Sequence, residues 1–156
     1  MEAEKFAYKP FNISSVHIIK NERIKYNETI NISSTQLTEV FHYSREFKTL
    51  HEFKMITVIL DIPFTGNNTA KTRSRILLYL DDELLCDGTI CNQSSWELKP
   101  LHLEGIAVDV KPGNHRVKLM CCVNGGILNI PHYNKGDIEY TIKPEISGKM
   151  VIIGQN

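Results

Sequence analysis

In residues 115–124 (HRVKLMCCVN), Val117, Leu119, Cys121 and Val123 fall on odd positions, Arg116, Lys118 and Asn124 on even ones, with Met120 and Cys122 between. A repeat of two is the period of an extended strand with one face in a core, because successive side chains point to opposite faces. Residues 106–110 (IAVDV) alternate as well. Lys111-Pro112-Gly113-Asn114 then places proline early and glycine late, as a turn requires. Residues 105–124 are therefore expected to form a hairpin. Gly125-Gly126 is expected to be a second hairpin turn, joining that strand to Ile127-Leu128-Asn129-Ile130. Ile138, Tyr140 and Ile142 alternate against Glu139, Thr141 and Lys143, and residues 150–153 read as a last buried strand.

The upstream half behaves alike. Residues 52–64 (EFKMITVILDIPF) are rich in β-branched and aromatic side chains, and residues 75–80 (RILLYL) are apolar on both faces, as a covered central strand is. Residues 27–33 and 37–44 are weaker strand candidates. The one helix candidate, 38–50, contains Phe41, Tyr43 and Phe47, which favour strand or loop. The pattern gives about nine or ten strands with glycine and proline between them. The expected fold is all-β: an antiparallel β-sandwich of jelly-roll type with little or no helix, one domain over 1–156, with 1–25 as an extended arm or edge strand.

Composition supports a packed domain: 156 residues, 42% apolar and 23% charged. Lys plus Arg and Asp plus Glu are 18 each, and no two Lys or Arg residues are adjacent. This balance leaves no basic footprint for nucleic acid, and no nucleic-acid partner is expected. No apolar run approaches a membrane span, and the start MEAEKFAYKPF lacks the apolar region of a signal peptide, so no membrane insertion is expected.

Four cysteines raise the question of bridges or metal. Cys86 and Cys91 bracket Asp87-Gly88, a strong two-residue turn signal. If Asp87-Gly88 is that turn, the two cysteines share one face diagonally, at or beyond ordinary disulfide reach, and a bridge needs a looser turn. Cys121 and Cys122 point to opposite faces of their strand. Cys121 continues the core row, whereas Cys122 packs under a second layer, at a subunit contact, or against Cys86 or Cys91. Zinc spacing is missing, and no metal or cofactor is expected.

The acidic group Asp81, Asp82, Glu83 and Asp87 is read as a solvated turn rather than a calcium loop, whose spacing it does not match. Trp96, after a polar stretch, either stacks on a ligand such as a sugar or closes the core. Asp81, Asp82, Glu83 and Trp96 are thus the candidate ligand-contacting residues. His115 and His132 read as surface or hydrogen-bonded histidines. No nucleophile, zincin or phosphate-loop motif occurs, so no catalytic residue is assigned. Five Asn-x-Ser/Thr triplets, at Asn12, Asn27, Asn31, Asn67 and Asn92, exceed chance and lean toward an extracellular or exposed setting.

The stretches SRILLYLDDELL, SSWELKPLHLEGIAVDVKPGNHRVKLMCCVNGGILNI and ISGKMVIIG resemble two groups of modules. Residues 110–119 are similar to a strand-and-turn pattern in the trimeric jelly-roll heads of the C1q/TNF-like kind, including viral and phage fibre tips. Trp96, residues 113–117 and Asn129-Ile130 resemble galactose-binding-like carbohydrate-binding modules, although Pro131 stands where those carry an acidic residue. The first resemblance implies a non-catalytic structural or recognition module that self-associates, as a homotrimer or inside a larger assembly. The second implies a glycan-binding module. An intracellular structural subunit is a further reading.

Overall fold

The computed structural model describes residues 15–24, 30–67, 73–91, 99–130 and 148–156. These form eleven strands: β1 (Val16–Arg23), β2 (Ile30–Ile32), β3 (Thr38–Glu39), β4 (Arg45–Thr49), β5 (Phe53–Asn67), β6 (Arg73–Leu80), β7 (Glu83–Cys91), β8 (Lys99–Val110), β9 (Gly113–Val123), β10 (Ile127–Ile130) and β11 (Lys149–Gln155). The helix candidate at 38–50 resolves into β3, a single 3-10 turn at Phe41–Tyr43 and β4. The strand expected over 138–142 lies outside the described residues.

All pairings are antiparallel, in two sheets. One runs β1-β11-β5-β10-β2, with β8 on the other edge of β5; the second runs β3-β9-β6-β7, with β4 also on β9. Their inner faces close one core. Ile56, Val58, Leu60 and Ile62 of β5 and Met150 and Ile152 of β11 come from the first sheet; Ile76, Leu78 and Leu80 of β6 and Val117, Leu119 and Cys121 of β9 come from the second. The alternation read from sequence assigns the inward row of β9 correctly, Val117, Leu119, Cys121 and Val123, and the fold is the expected all-β antiparallel sandwich.

Three local turn assignments are corrected. First, β8 and β9 do not form a hairpin. β8 pairs with β5 in one sheet, while β9 pairs with β3, β4 and β6 in the other. Residues 111–112 carry the chain between sheets. Residues 50–52 make the same crossing beside them, from β4 to β5. The result is a two-stranded ribbon folded across the sandwich, in which Arg45–Thr49 faces Val117–Gly113 in one sheet and Phe53–Phe64 faces Val110–Lys99 in the other. From Thr49 to Phe53 is four residues, whereas from Val110 to Gly113 is three, so the register moves by one at the corner. This wrapping of a ribbon around two sheets is what makes the sandwich jelly-roll-like.

The corner has its own chemistry. Asp109 (φ 52°) and Gly113 (φ 142°) take positive dihedrals that bend the chain sharply. Buried Thr49 accepts from the Gly113 amide at 3.2 Å and donates to the Lys111 carbonyl at 3.3 Å. Lys111 also reaches Glu52 at 2.8 Å.

Second, Gly125-Gly126 is not a hairpin turn. It too crosses between sheets, since β10 pairs with β5 and β2 rather than β9. Positive φ at both glycines permits the bend. Asn124 exchanges two bonds with the Arg73 backbone, its amide to the carbonyl at 3.0 Å and its side-chain oxygen from the amide at 2.9 Å. Third, Asp87-Gly88 lies inside β7, and the β6–β7 turn is Asp81-Asp82. Cys86 and Cys91 therefore sit five residues apart along one extended strand, roughly 16 Å, and Cys86 is unbridged. The diagonal disulfide geometry does not arise.

Candidate functional site

The acidic triplet lies at the tip of the β6–β7 hairpin. Asp81 adopts φ 52°, a conformation that Asp tolerates better than most residues. Its carboxylate is occupied by the protein: Oδ1 accepts from the Arg116 amide at 2.8 Å, and Oδ2 lies 2.8 Å from His115 Nδ1. The Asp81 amide donates to the Arg116 carbonyl at 2.7 Å, so the tip is pinned to β9. Asp82 lies 3.4 Å from Lys118 Nζ, and Glu83 is exposed. His115 Nε2 meets the Lys111 carbonyl at 2.8 Å and the ring stacks obliquely on Phe47, centroids 5.4 Å apart. Both His115 nitrogens are thus engaged in holding the hairpin tip and the corner together. The surface here is a shallow concavity of about 500 Å³ that also includes Glu46, Lys48 and Asn114.

A second histidine cluster lies on the outer face of the first sheet. His102 Nδ1 is 2.6 Å from Asp61, its cross-strand neighbour, and Nε2 is 3.5 Å from Glu104. The Asp61 hydrogen bond, assisted by Glu104 and opposed by desolvation, raises the His102 pKa above its ordinary value. On the second sheet's outer face, Arg75 holds Asp87 at 2.7 Å, which lowers the Asp87 pKa and raises that of Arg75. Among the described residues no group of three or more His, Cys, Asp and Glu could hold a metal ion.

The other sequence candidates are scattered. Trp96, Asn12, Asn27 and Asn92 lie outside the described residues. Asn31 is exposed in β2, and Asn67 ends β5. Neither Asn31 nor Asn67 lies on the strands that carry the acidic tip.

The feature that sequence reading missed is the outer face of the β1-β11-β5-β8 sheet. Cross-strand registers line up two rows there: Val16, Gln155, Met55 and Val108; then Ile18, Ile153, Thr57 and Ile106. Val16 is 63% exposed, Ile18 68%, Ile106 50% and Val108 63%. A third row, Asn21, Val151, Ile59 and Glu104, leads to a charged fourth, Arg23, Lys149, Asp61 and His102. An apolar patch rimmed by charge is the usual form of an interaction surface. Its signal was present in the near-continuous apolar run of β11, KMVIIG, which fits a strand covered on both sides.

No family model and no curated protein matches the chain. Solved structures with similar folds include dimeric latent PorU from Porphyromonas gingivalis, at 11% identity and TM-score 0.49, covering 92% of this chain and 13% of that one. The VP2 subviral particle of infectious bursal disease virus is similar at 6% identity and TM-score 0.44, covering 92% and 38%. A Paenibacillus cycloisomaltooligosaccharide glucanotransferase is similar at 16% identity and TM-score 0.39, covering 78% and 18%. The chain thus spans a minor part of each of these proteins.

Proposed function

We propose that the protein is a non-catalytic structural module that works by assembling with protein partners, its own copies included. The observation that carries this reading is the outer face of the β1-β11-β5-β8 sheet, where Val16, Ile18, Ile106 and Val108 are half or more exposed. Leaving such side chains in water forgoes about 25 cal/mol for each Å² that a partner would cover, and a contiguous apolar face invites that partner. The polar clusters agree with this reading. Both histidine groups spend their ring nitrogens on intramolecular contacts, among them His102 to Asp61 across strands and His115 to Asp81 at the hairpin tip.

Sedimentation or light scattering over a concentration series tests it. A defined oligomer supports the module, and a chain that stays monomeric throughout removes the self-assembly on which the reading rests.

A further inference from the structure

We propose that the β1-β11-β5-β8 face is a two-fold self-pairing surface: two copies stack sheet on sheet, with the axis running roughly along the strands between β11 and β5. This deepens the assembly reading and rests on it. It replaces the expected three-fold head with a face-to-face pair.

Charge is laid out across the face so that one half complements the other. In the fourth row Arg23 and Lys149 lie on β1 and β11, Asp61 on β5, and His102, bonded to Asp61, on β8; Glu104 follows on β8, one row inward, so the two carboxylates outweigh the imidazole on that half. The positive half is therefore β1-β11 and the negative half β5-β8. A two-fold axis along the strands keeps the charged end over the charged end but reverses the lateral order. β11 of one copy then lies over β5 of the other, and β1 over β8. Lys149 faces Asp61 twice, once on each side of the axis, while Arg23 lies over His102 with Glu104 one row inward, so the attraction comes from the Lys149–Asp61 contacts. The apolar rows meet apolar rows, with Ile18 and Val16 across from Ile106 and Val108. The same patch is thus complementary to itself, which an isologous interface requires. Rotation about an axis across the strands would instead put the charged end over the apolar rows, which desolvates charge without pairing it.

The size is adequate but small. Four strands about 4.8 Å apart and four rows about 6.8 Å apart give a face of roughly 19 by 27 Å. Two copies bury on the order of 1,000 Å², the lower bound of a specific interface. The pairing is expected to be reversible with concentration. Aligned sheet packing near −30° accommodates the twist.

The decisive experiment is sedimentation velocity on the whole chain and on charge variants. Lys149→Glu alone, or Asp61→Lys alone, places like charges opposite each other at both symmetry-related contacts. Each variant is expected to self-associate about tenfold more weakly or worse. Mixed one to one, the two variants place opposite charges at both contacts, and the dimer is expected to return as a heterodimer. Ile106→Asp is expected to abolish pairing while circular dichroism and the melting transition stay those of a folded chain, because Ile106 is outside the core. If the unsubstituted chain assembles but none of these variants alters it, or if it forms a trimer that ignores Ile106→Asp, the two-fold face is wrong and the assembly reading stands. If the variants weaken association but the mixture does not restore it, the axis is wrong. A monomer at every concentration overturns both.

Discussion

Cys121 and Cys122 are adjacent in sequence and chemically distinct because one peptide step on a strand reverses the face. Cys121 is fully buried in the sandwich core, and burial pushes its thiol pKa up to about 12. Cys122 is half-buried on the outer side, across from Arg75. Native thiol labelling is expected to spare Cys121 until the protein unfolds, while Cys86 and Cys122 react earlier; mass spectrometry of the labelled peptides reads the order. His102 gives a second test at this scale. Its pKa is raised in the folded state, chiefly by Asp61, so the pair's stabilisation is fully present below the unfolded histidine value and disappears as pH rises through the folded one. An NMR titration is expected to place the His102 pKa above its ordinary value in the native chain, and Asp61→Asn is expected to lower it. The burial of Cys121 could be read from alternation alone. The His102–Asp61 pair could not, because its partners are 41 residues apart and meet only through the β5–β8 register.

At the scale of elements, most strands were legible, β7 being the exception, and their partners were not. Alternation over 106–110 and 117–123 marks strands correctly, yet the two-residue link between β8 and β9 reads equally well as a hairpin turn or as a crossing between sheets. What decides is the pairing available elsewhere: β5 offers an edge to β8, and β6 offers one to β9. Asp87-Gly88 failed as a turn for a related reason. Asp87 is held by Arg75 across the sheet, Gly88 lies against Leu103 of the opposite sheet, and both continue β7. The meeting of β7 and β8 makes a sharper prediction. A Cβ built at Gly105 would lie 2.4 Å from Leu85 Cβ and 3.0 Å from the Leu85 carbonyl carbon and oxygen. Backbone cannot swing aside, so Gly105→Ala is expected to destabilise the fold by about 1–3 kcal/mol, as overpacking does, measurable by urea denaturation. At the folded corner, Thr49→Val keeps the shape and removes the hydroxyl that serves the Gly113 amide and the Lys111 carbonyl. Its expected cost is about 1–3 kcal/mol for the groups left unmet, read from the same denaturation curves.

For the whole molecule, the two faces of one strand serve different ends. Ile152 is fully buried in the core, while its neighbour Ile153 belongs to the outer face with Ile18 and Ile106. Ile152→Ala is expected to cost about 2–5 kcal/mol through the cavity it leaves. Ile153→Thr is expected to change stability by less than about 1 kcal/mol but to weaken self-association in sedimentation. A chain in which both substitutions act only on stability would have no use for its outer face.

The period of two, with β-branched and aromatic runs broken by glycine and proline, was enough to determine an all-β sandwich and the inward row of β9, because burial on one face of a strand is a local rule. Which strands pair, where the chain changes sheet, and which outward rows line up into one apolar, charge-edged surface were decided by tertiary structure. Those features depend on register between residues far apart in the chain, and a turn signal records that the backbone bends without recording which sheet receives it.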